Sequence, residues 1–129
     1  MIGLVVVSHS AKAAEGICEL AAQMGGDAPL EPAGGDGDSD GGIGTDVERI
    51  QEGIETADEG EGVVVLVDLG SAVMNAELAI EMTEIDAEID DAPILEGALN
   101  AAVEATNEKA TVDSVVEKAE EASSYQKLS

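Results

Sequence analysis

The sequence predicts an α/β domain: a mostly parallel, doubly wound sheet of about four strands with helices on both faces. Three observations predict it. The β-branched runs Ile2–Val7 and Val63–Val67 lack polar alternation, as strands buried on both faces do. Stretches with apolar residues three and four apart, the helical spacing, separate the strand candidates. Strands alternating with helices join through right-handed crossovers, which builds a parallel sheet rather than hairpins. The 129 residues suit one domain, expected over residues 1–122, with 123–129 as a flexible tail.

The first strand ends at Ser8-His9-Ser10. The helix that follows carries Ile17, Leu20, Ala21 and Met24 on one face and stops at Gly25-Gly26. Residues 27–33 form a second strand, which Pro29 and Pro32 assign to a sheet edge. A Gly/Asp-rich loop spans 34–44. Thr45-Asp46-Val47-Glu48 reads as a capping box with Thr45 as N-cap, opening a helix with Val47, Ile50 and Ile54 inward. Val63–Val67 is the clearest strand, closed by Asp68-Leu69-Gly70-Ser71. A third helix runs through Val73, Glu77, Leu78 and Met82, and a fourth strand lies in 85–91, where Ile85, Ala87 and Ile89 alternate. Of two final helices, one uses Leu95, Leu99 and Val103. The other uses Val112, Val115, Val116 and Ala119, with Thr111 as N-cap.

Asp and Glu number 29 against 5 Lys and Arg, a formal charge of −24. Leu, Ile and Val still make up about 24% of the chain, above the ~20% below which disorder is expected. So negative a domain is repelled by phosphate backbones and anionic lipids, so neither nucleic acid nor membrane is an expected partner. The acids are dispersed rather than blocked, which points to a halophilic surface: at about 1 M salt the screening length falls to ~3 Å. No apolar run approaches a bilayer span and no leader pattern opens the chain, so a cytoplasmic protein is expected. The lone Cys18 fits a reducing compartment and a core position.

His9 is the only histidine and stands where the first strand gives way to the first helix. Strand ends face the crevice of a wound sheet, and a helix start offers unpaired N–H groups to oxyanions. An imidazole there can act as base, nucleophile or phosphoryl acceptor, or serve as a structural histidine bonded to backbone. Ser8 and Ser10 add hydroxyls for a phosphate or for helix capping. Asp68 ends the best strand and, if the two strands are neighbours, can fix the imidazole tautomer; a solvated acid is the alternative. Gly70-Ser71 and Gly42-Ile43-Gly44-Thr45 can present N–H groups to an anion, but no Walker lysine follows the latter. Asp36, Asp38 and Asp40 alternate like the start of a calcium loop, yet its twelfth position is Val47 rather than Glu. One His and one Cys are too few for zinc, and no metal or other cofactor is expected. With Tyr125 as the only aromatic residue, stacking on sugars or bases is disfavoured.

Four segments together resemble a known family. Val5-Val6-Val7-Ser8-His9-Ser10 with Glu15-Gly16, Ile43-Gly44-Thr45-Asp46, Asp68-Leu69-Gly70-Ser71-Ala72 with Asn75-Ala76-Glu77, and Ala92-Pro93-Ile94-Leu95-Glu96-Gly97 appear in the order found in phosphotransfer subunits of dihydroxyacetone kinases (DhaM). These are mannose-type enzyme IIA domains of the phosphoenolpyruvate-dependent phosphotransferase system, and the likeness covers roughly residues 1–107. It implies that His9 accepts a phosphoryl group, on Nε2, from the phosphocarrier protein HPr. His9 then donates it to ADP held in the kinase's nucleotide-binding subunit, and the ATP so regenerated phosphorylates dihydroxyacetone. It further implies a homodimer and a separate donor protein. On this reading Asp68 fixes the His9 tautomer, and Ser10, Thr45, Gly70 and Ser71 form the phosphate site. Lys12 and Arg49 are rare cations near it that could meet acidic patches on partners. Three rivals stand beside this reading: a sugar-transporting enzyme IIA, a receiver-like signalling domain phosphorylated on Asp68, and a non-catalytic interaction module.

Overall fold

A computed structural model describes residues 1–38 and 41–128. The strands are β1 (Gly3–Ser8), β2 (Leu30–Gly34), β3 (Val63–Val67) and β4 (Ala87–Ile89). The helices are α1 (Ala11–Met24), α2 (Val47–Ala57), α3 (Val73–Glu81), α4 (Ile94–Ala105) and α5 (Val112–Glu121), with short 3-10 turns at Gly70–Ala72 and Ala122–Ser124. The sheet order is β2-β1-β3-β4 and every neighbouring pair is parallel. β2 is an edge strand, as its prolines require. The chain leaves β1 towards β2, then crosses back to place β3 on the other side of β1. The winding therefore reverses between β1 and β3, and a crevice opens at their carboxyl ends.

The alternation of strand side chains divides the core in two. Leu4, Val6, Val64 and Leu66 face α1, α4 and α5. Val5, Val7, Val63 and Val65 face α2 and α3. The central strands thus bury both faces, which explains their unbroken β-branched runs.

The helix faces differ from expectation. In α1 the buried stripe is Ala14, Ile17, Cys18 and Ala21, while Leu20 and Met24 are exposed. In α3 the sheet side is Ala76 and Ala79, and Leu78 and Met82 point to solvent. In α4 it is Ala98, Ala101, Ala102 and Ala105, with Val103 exposed. Close approach is the reason. A Cβ on Gly25 would lie 2.3 Å from the Ala102 carbonyl oxygen, so α1 and α4 meet nearly backbone to backbone. Small residues make that distance accessible, and the larger side chains are left outside. α2 and α5 keep the predicted faces: Ile50 and Ile54 inward on one, Val112, Val115 and Ala119 on the other.

The N-caps also separate. Thr111 accepts from the Ser114 N–H at 3.0 Å and closes a capping box, as expected for α5. Thr45 does not cap α2. Asp46 is the N-cap, without a side-chain capping bond, and the Thr45 hydroxyl is engaged by Asn75 instead. β4 is shorter than predicted, three residues within 85–91.

Candidate active site

The register sets the site. Val7 pairs with Val67, so Ser8-His9 at the end of β1 and Asp68 just after β3 emerge side by side at the switch point. The Asp68 N–H donates to the Val7 carbonyl at 3.1 Å, locking the two strand ends together. Asp68 then gathers three donors. Oδ2 accepts from the Ser8 hydroxyl at 2.9 Å and the His9 backbone N–H at 3.0 Å, and Oδ1 lies 2.9 Å from His9 Nδ1. Partial burial pushes the Asp68 carboxyl up. The bonds from the His9 N–H, the His9 ring and Ser8 outweigh it, so its pKa lies below the ordinary aspartate value.

An ionised carboxylate only accepts, so Nδ1 carries the ring proton and Nε2 presents its lone pair. The Ser71 hydroxyl, 2.9 Å from Nε2, is then the donor to that lone pair. The His9 and Asp68 side chains are 23% and 21% exposed, so the ring is held firmly yet reachable. A cavity of about 410 Å³ lies elsewhere, along β2 and α2, where Glu31, Arg49 and Glu52 line it. None of that cavity's lining residues belongs to the imidazole corner, where the Nε2–Ser71 contact is exposed to solvent.

Two turns frame the ring. Ser10 is the N-cap of α1, its hydroxyl accepting from the Ala13 N–H at 3.2 Å, so its side chain does the capping half of its two expected duties. The first turn of α1 therefore starts two residues after His9, which brings the positive end of the helix dipole to this segment. Gly70 and Ser71 open the 3-10 turn that runs into α3, where leading N–H groups lack intrahelical partners. The Gly44 N–H donates to the His9 carbonyl at 2.8 Å and brings the Thr45 loop to the same corner. Gly44 adopts φ 148°, a conformation that L side chains rarely take.

All six residues singled out from the sequence thus lie around this one corner: His9, Asp68 and Ser71 in direct hydrogen-bonded sequence, Ser10 and Gly70 as flanking neighbours, Thr45 through Gly44. Lys12 is exposed on the first turn of α1, and Arg49 donates to the Gly34 carbonyl at 3.2 Å. Cys18 is half-buried and its thiol is pushed up to about 11 by desolvation and by Glu31 and Glu15, so it is inert at neutral pH. Among the described residues no cluster of His, Cys, Asp and Glu is arranged to hold a metal ion; Asp40, the third acid of the calcium-like run, lies outside them. Two residues were given no such part by sequence reasoning. Ser8, read as a phosphate or capping hydroxyl, is buried and serves Asp68. Asn75, quoted only as part of a motif, binds Thr45.

Comparison with known proteins decides the family. The model of EIIA-man, described as the PTS system fructose IIA component, matches residues 3–116. The chain belongs to this family. The phosphoryl donor subunit DhaM of the PEP-dependent dihydroxyacetone kinase of Providencia stuartii is 37% identical over 128 residues, 95% of this chain and 27% of that protein. Its Escherichia coli counterpart is 39% identical over 122 residues, 90% of this chain and 26% of that protein. The chain thus spans about a quarter of the length of these two EIIA-man relatives. It covers 86% of the DhaM subunit of dihydroxyacetone kinase 2 from Listeria innocua, at 39% identity over 81% of its own length. Among solved structures, EF1359, described as of unknown function, superposes with a TM-score of 0.75 at 32% identity, covering 95% of this chain and 96% of that one. A sigma-54 interaction domain protein from Enterococcus faecalis superposes at 0.70 with 17% identity, covering 92% and 87%, and shares the EIIA-man fold alone. No helix among the described residues is long and apolar enough to cross a membrane.

Proposed function

We propose that this EIIA-man domain is a phosphohistidine relay for a dihydroxyacetone kinase, working in the cytoplasm. His9 Nε2 attacks the phosphorus of phospho-HPr in line. A P–N bond forms at Nε2 as the P–N bond to the donor histidine breaks, and the donor imidazole leaves. In the second transfer, a terminal oxygen of ADP in the kinase's nucleotide-binding subunit attacks the same phosphorus. The bond to His9 breaks, and ATP forms. The observation that carries this reading is the Asp68–His9–Ser71 line, in which Nδ1 is occupied and Nε2 is the nitrogen left to react.

Such a transfer asks for positioning and for donors to the three equatorial oxygens rather than for elaborate acid–base chemistry. Asp68 keeps Nδ1 protonated and so keeps Nε2 nucleophilic. As phosphorus arrives, the Ser71 hydroxyl turns from Nε2 to a phosphoryl oxygen. The N–H groups beside Ser10 and at Gly70-Ser71 supply further donors.

The names of the relatives favour this acceptor over a sugar permease. A receiver-like role for Asp68 is disfavoured because both its oxygens already accept hydrogen bonds. A purely structural module would not need a tautomer-fixed imidazole whose Nε2 contact is exposed to solvent. Incubation with phosphoenolpyruvate, enzyme I and HPr, followed by mapping of the modified residue, tests the reading. Acid-labile phosphate on His9, transferred to the ADP-loaded kinase subunit, is the expected result. Label on Asp68, or delivery only to a sugar permease, overturns it.

Two further proposals concern the surface. A homodimer would use α3, where Met74, Leu78 and Met82 form an exposed stripe at four-residue spacing next to the edge strand β4. A stable interface needs about 800 Å² per partner, so the stripe and the β4 edge would be buried together. Leu78→Asp is expected to give a monomer in sedimentation that keeps the natural circular dichroism spectrum; a variant that stays dimeric rules this face out. The dispersed acids would be an adaptation to concentrated salt. Thermal stability is expected to fall on moving from multimolar to millimolar potassium chloride, and equal melting temperatures would refute it.

A further inference from the structure

The Asn75 amide, on the first turn of α3, donates to Thr45 Oγ1 at 2.7 Å and reaches the Thr45 carbonyl oxygen at 3.5 Å. A carbonyl only accepts, so the nitrogen side of the amide faces Thr45. Thr45 Oγ1 is therefore an acceptor from Asn75, and its own proton must point elsewhere. Among the described residues that proton has no acceptor. Two fixed points set Thr45 against the candidate site. Gly44, its chain neighbour, donates to the His9 carbonyl. Asn75 stands four residues, about one helical turn, beyond Ser71, whose hydroxyl meets Nε2. Thr45 is half-buried, so its side chain is held rather than free in solvent.

We propose that Asn75 is a positioning residue for phosphoryl transfer: it holds the Thr45 hydroxyl with its proton directed at the phosphoryl group on His9. The inference rests on the phosphohistidine reading above. Asn75 touches no reacting atom and acts only through Thr45. A donor set in advance costs no reorganisation when charge develops on the equatorial oxygens.

The test uses the full chain, phosphorylated by phosphoenolpyruvate, enzyme I and HPr, with the transfer rate measured at saturating and at limiting phospho-HPr. Thr45→Val and Asn75→Ala are each expected to lower kcat about a hundredfold, with KM for phospho-HPr within twofold. Adding Asn75→Ala to Thr45→Val should cost nothing more, because the two act as one unit. Thr45→Ser keeps the hydroxyl and should stay near the natural rate. Asn75→Asp is nearly isosteric and separates donation from packing. Its carboxylate would draw the Thr45 proton to itself, so it should be slower than Asn75→Ala although the fold is retained by circular dichroism. Independent, multiplying losses from the two sites overturn the inference, as does an Asn75→Asp rate equal to the natural one. A natural chain that takes no phosphate on His9 fails the underlying reading instead, and is recognised before any variant is made.

Discussion

Two aspartates stand just beyond the ends of neighbouring parallel strands and live in opposite electrostatic worlds. Asp68, after β3, is 21% exposed, and its carboxylate accepts from Ser8, the His9 N–H and the His9 ring. Asp90, after β4, is 4% exposed, and neither carboxylate oxygen has a hydrogen-bond partner among the described residues. Burial pushes the Asp90 carboxyl up to about 7, and the charges of Glu120 and Asp91 add to it; only the approaching Ala92 N–H, outside hydrogen-bonding geometry, works the other way. Asp68 is held below its ordinary value despite its own desolvation. Position at a strand end does not make an acid useful. The donors folded around it do, because they determine which charge state survives near neutral pH.

The largest effect is expected at Asp68. Asp68→Asn keeps the shape but removes the obligate acceptor. The amide can turn its NH₂ towards Nδ1, which then accepts and leaves the ring proton on Nε2. Phosphoryl transfer should fall about 10²–10⁴-fold, measured as the rate of His9 labelling from phospho-HPr. A loss below fivefold would mean that the tautomer does not depend on this carboxylate, and the contrast with Asp90 would lose its functional half.

Asp90→Asn addresses the other half through stability. Between the ordinary aspartate pKa and about 7, the folded chain binds the Asp90 proton and the unfolded chain does not. Stability contributed at this site therefore falls as pH rises through that window and levels off above it. The full shift corresponds to a ceiling of about 4 kcal/mol. At pH 8 the variant should be more stable than the natural chain, and near pH 4 the two should converge, with melting curves across pH 4–8 as the measurement. Equal slopes for both chains would show that Asp90 finds a partner in solution. Asp68 contributes with the opposite sign: its stabilisation is present above the ordinary aspartate pKa and is lost as pH falls through its lowered folded value.

The same contrast marks what the sequence could reveal. His9 and Asp68 were legible because each stands within two residues of the end of an unmistakable β-branched run, and parallel pairing of those runs brings their ends together. The strand order itself follows from one crossover reversal. The burial of Asp90 was not legible. It follows a three-residue strand whose flanking residues are mostly acidic, and nothing local says that α5 packs against that strand. The helix faces misled for a related reason. Hydrophobic size at helical spacing singled out Leu20, Met24, Leu78 and Val103, but the sheet and the α1–α4 contact selected the alanines beside them. Close packing rewards small residues where backbones approach, and periodicity of bulk does not register that. Thr45 shows the same limit at the site: its spacing to Glu48 satisfied the capping pattern, while its actual partner, Asn75, lies 30 residues away.

A smaller effect is expected at Ser8, which sharpens the comparison by moving Asp68 one step towards the state of Asp90. Ser8 is 2% exposed; its hydroxyl donates to Asp68 Oδ2 and accepts from the Ser10 N–H at 3.1 Å. Ser8→Ala removes one of three donors to Asp68 and orphans one N–H at the start of α1. The orphaned group costs about 1–3 kcal/mol of stability. The two His9 bonds remain, so the carboxylate stays ionised at neutral pH and phosphoryl transfer should fall no more than about tenfold. The decisive reading is the Asp68 titration midpoint, followed by carbon-detected NMR, which should rise towards the ordinary aspartate value because a charge-stabilising hydrogen bond has gone. An unchanged midpoint would mean that the His9 ring and N–H set the Asp68 charge state alone. Ser8 would then matter only for closing the turn into α1.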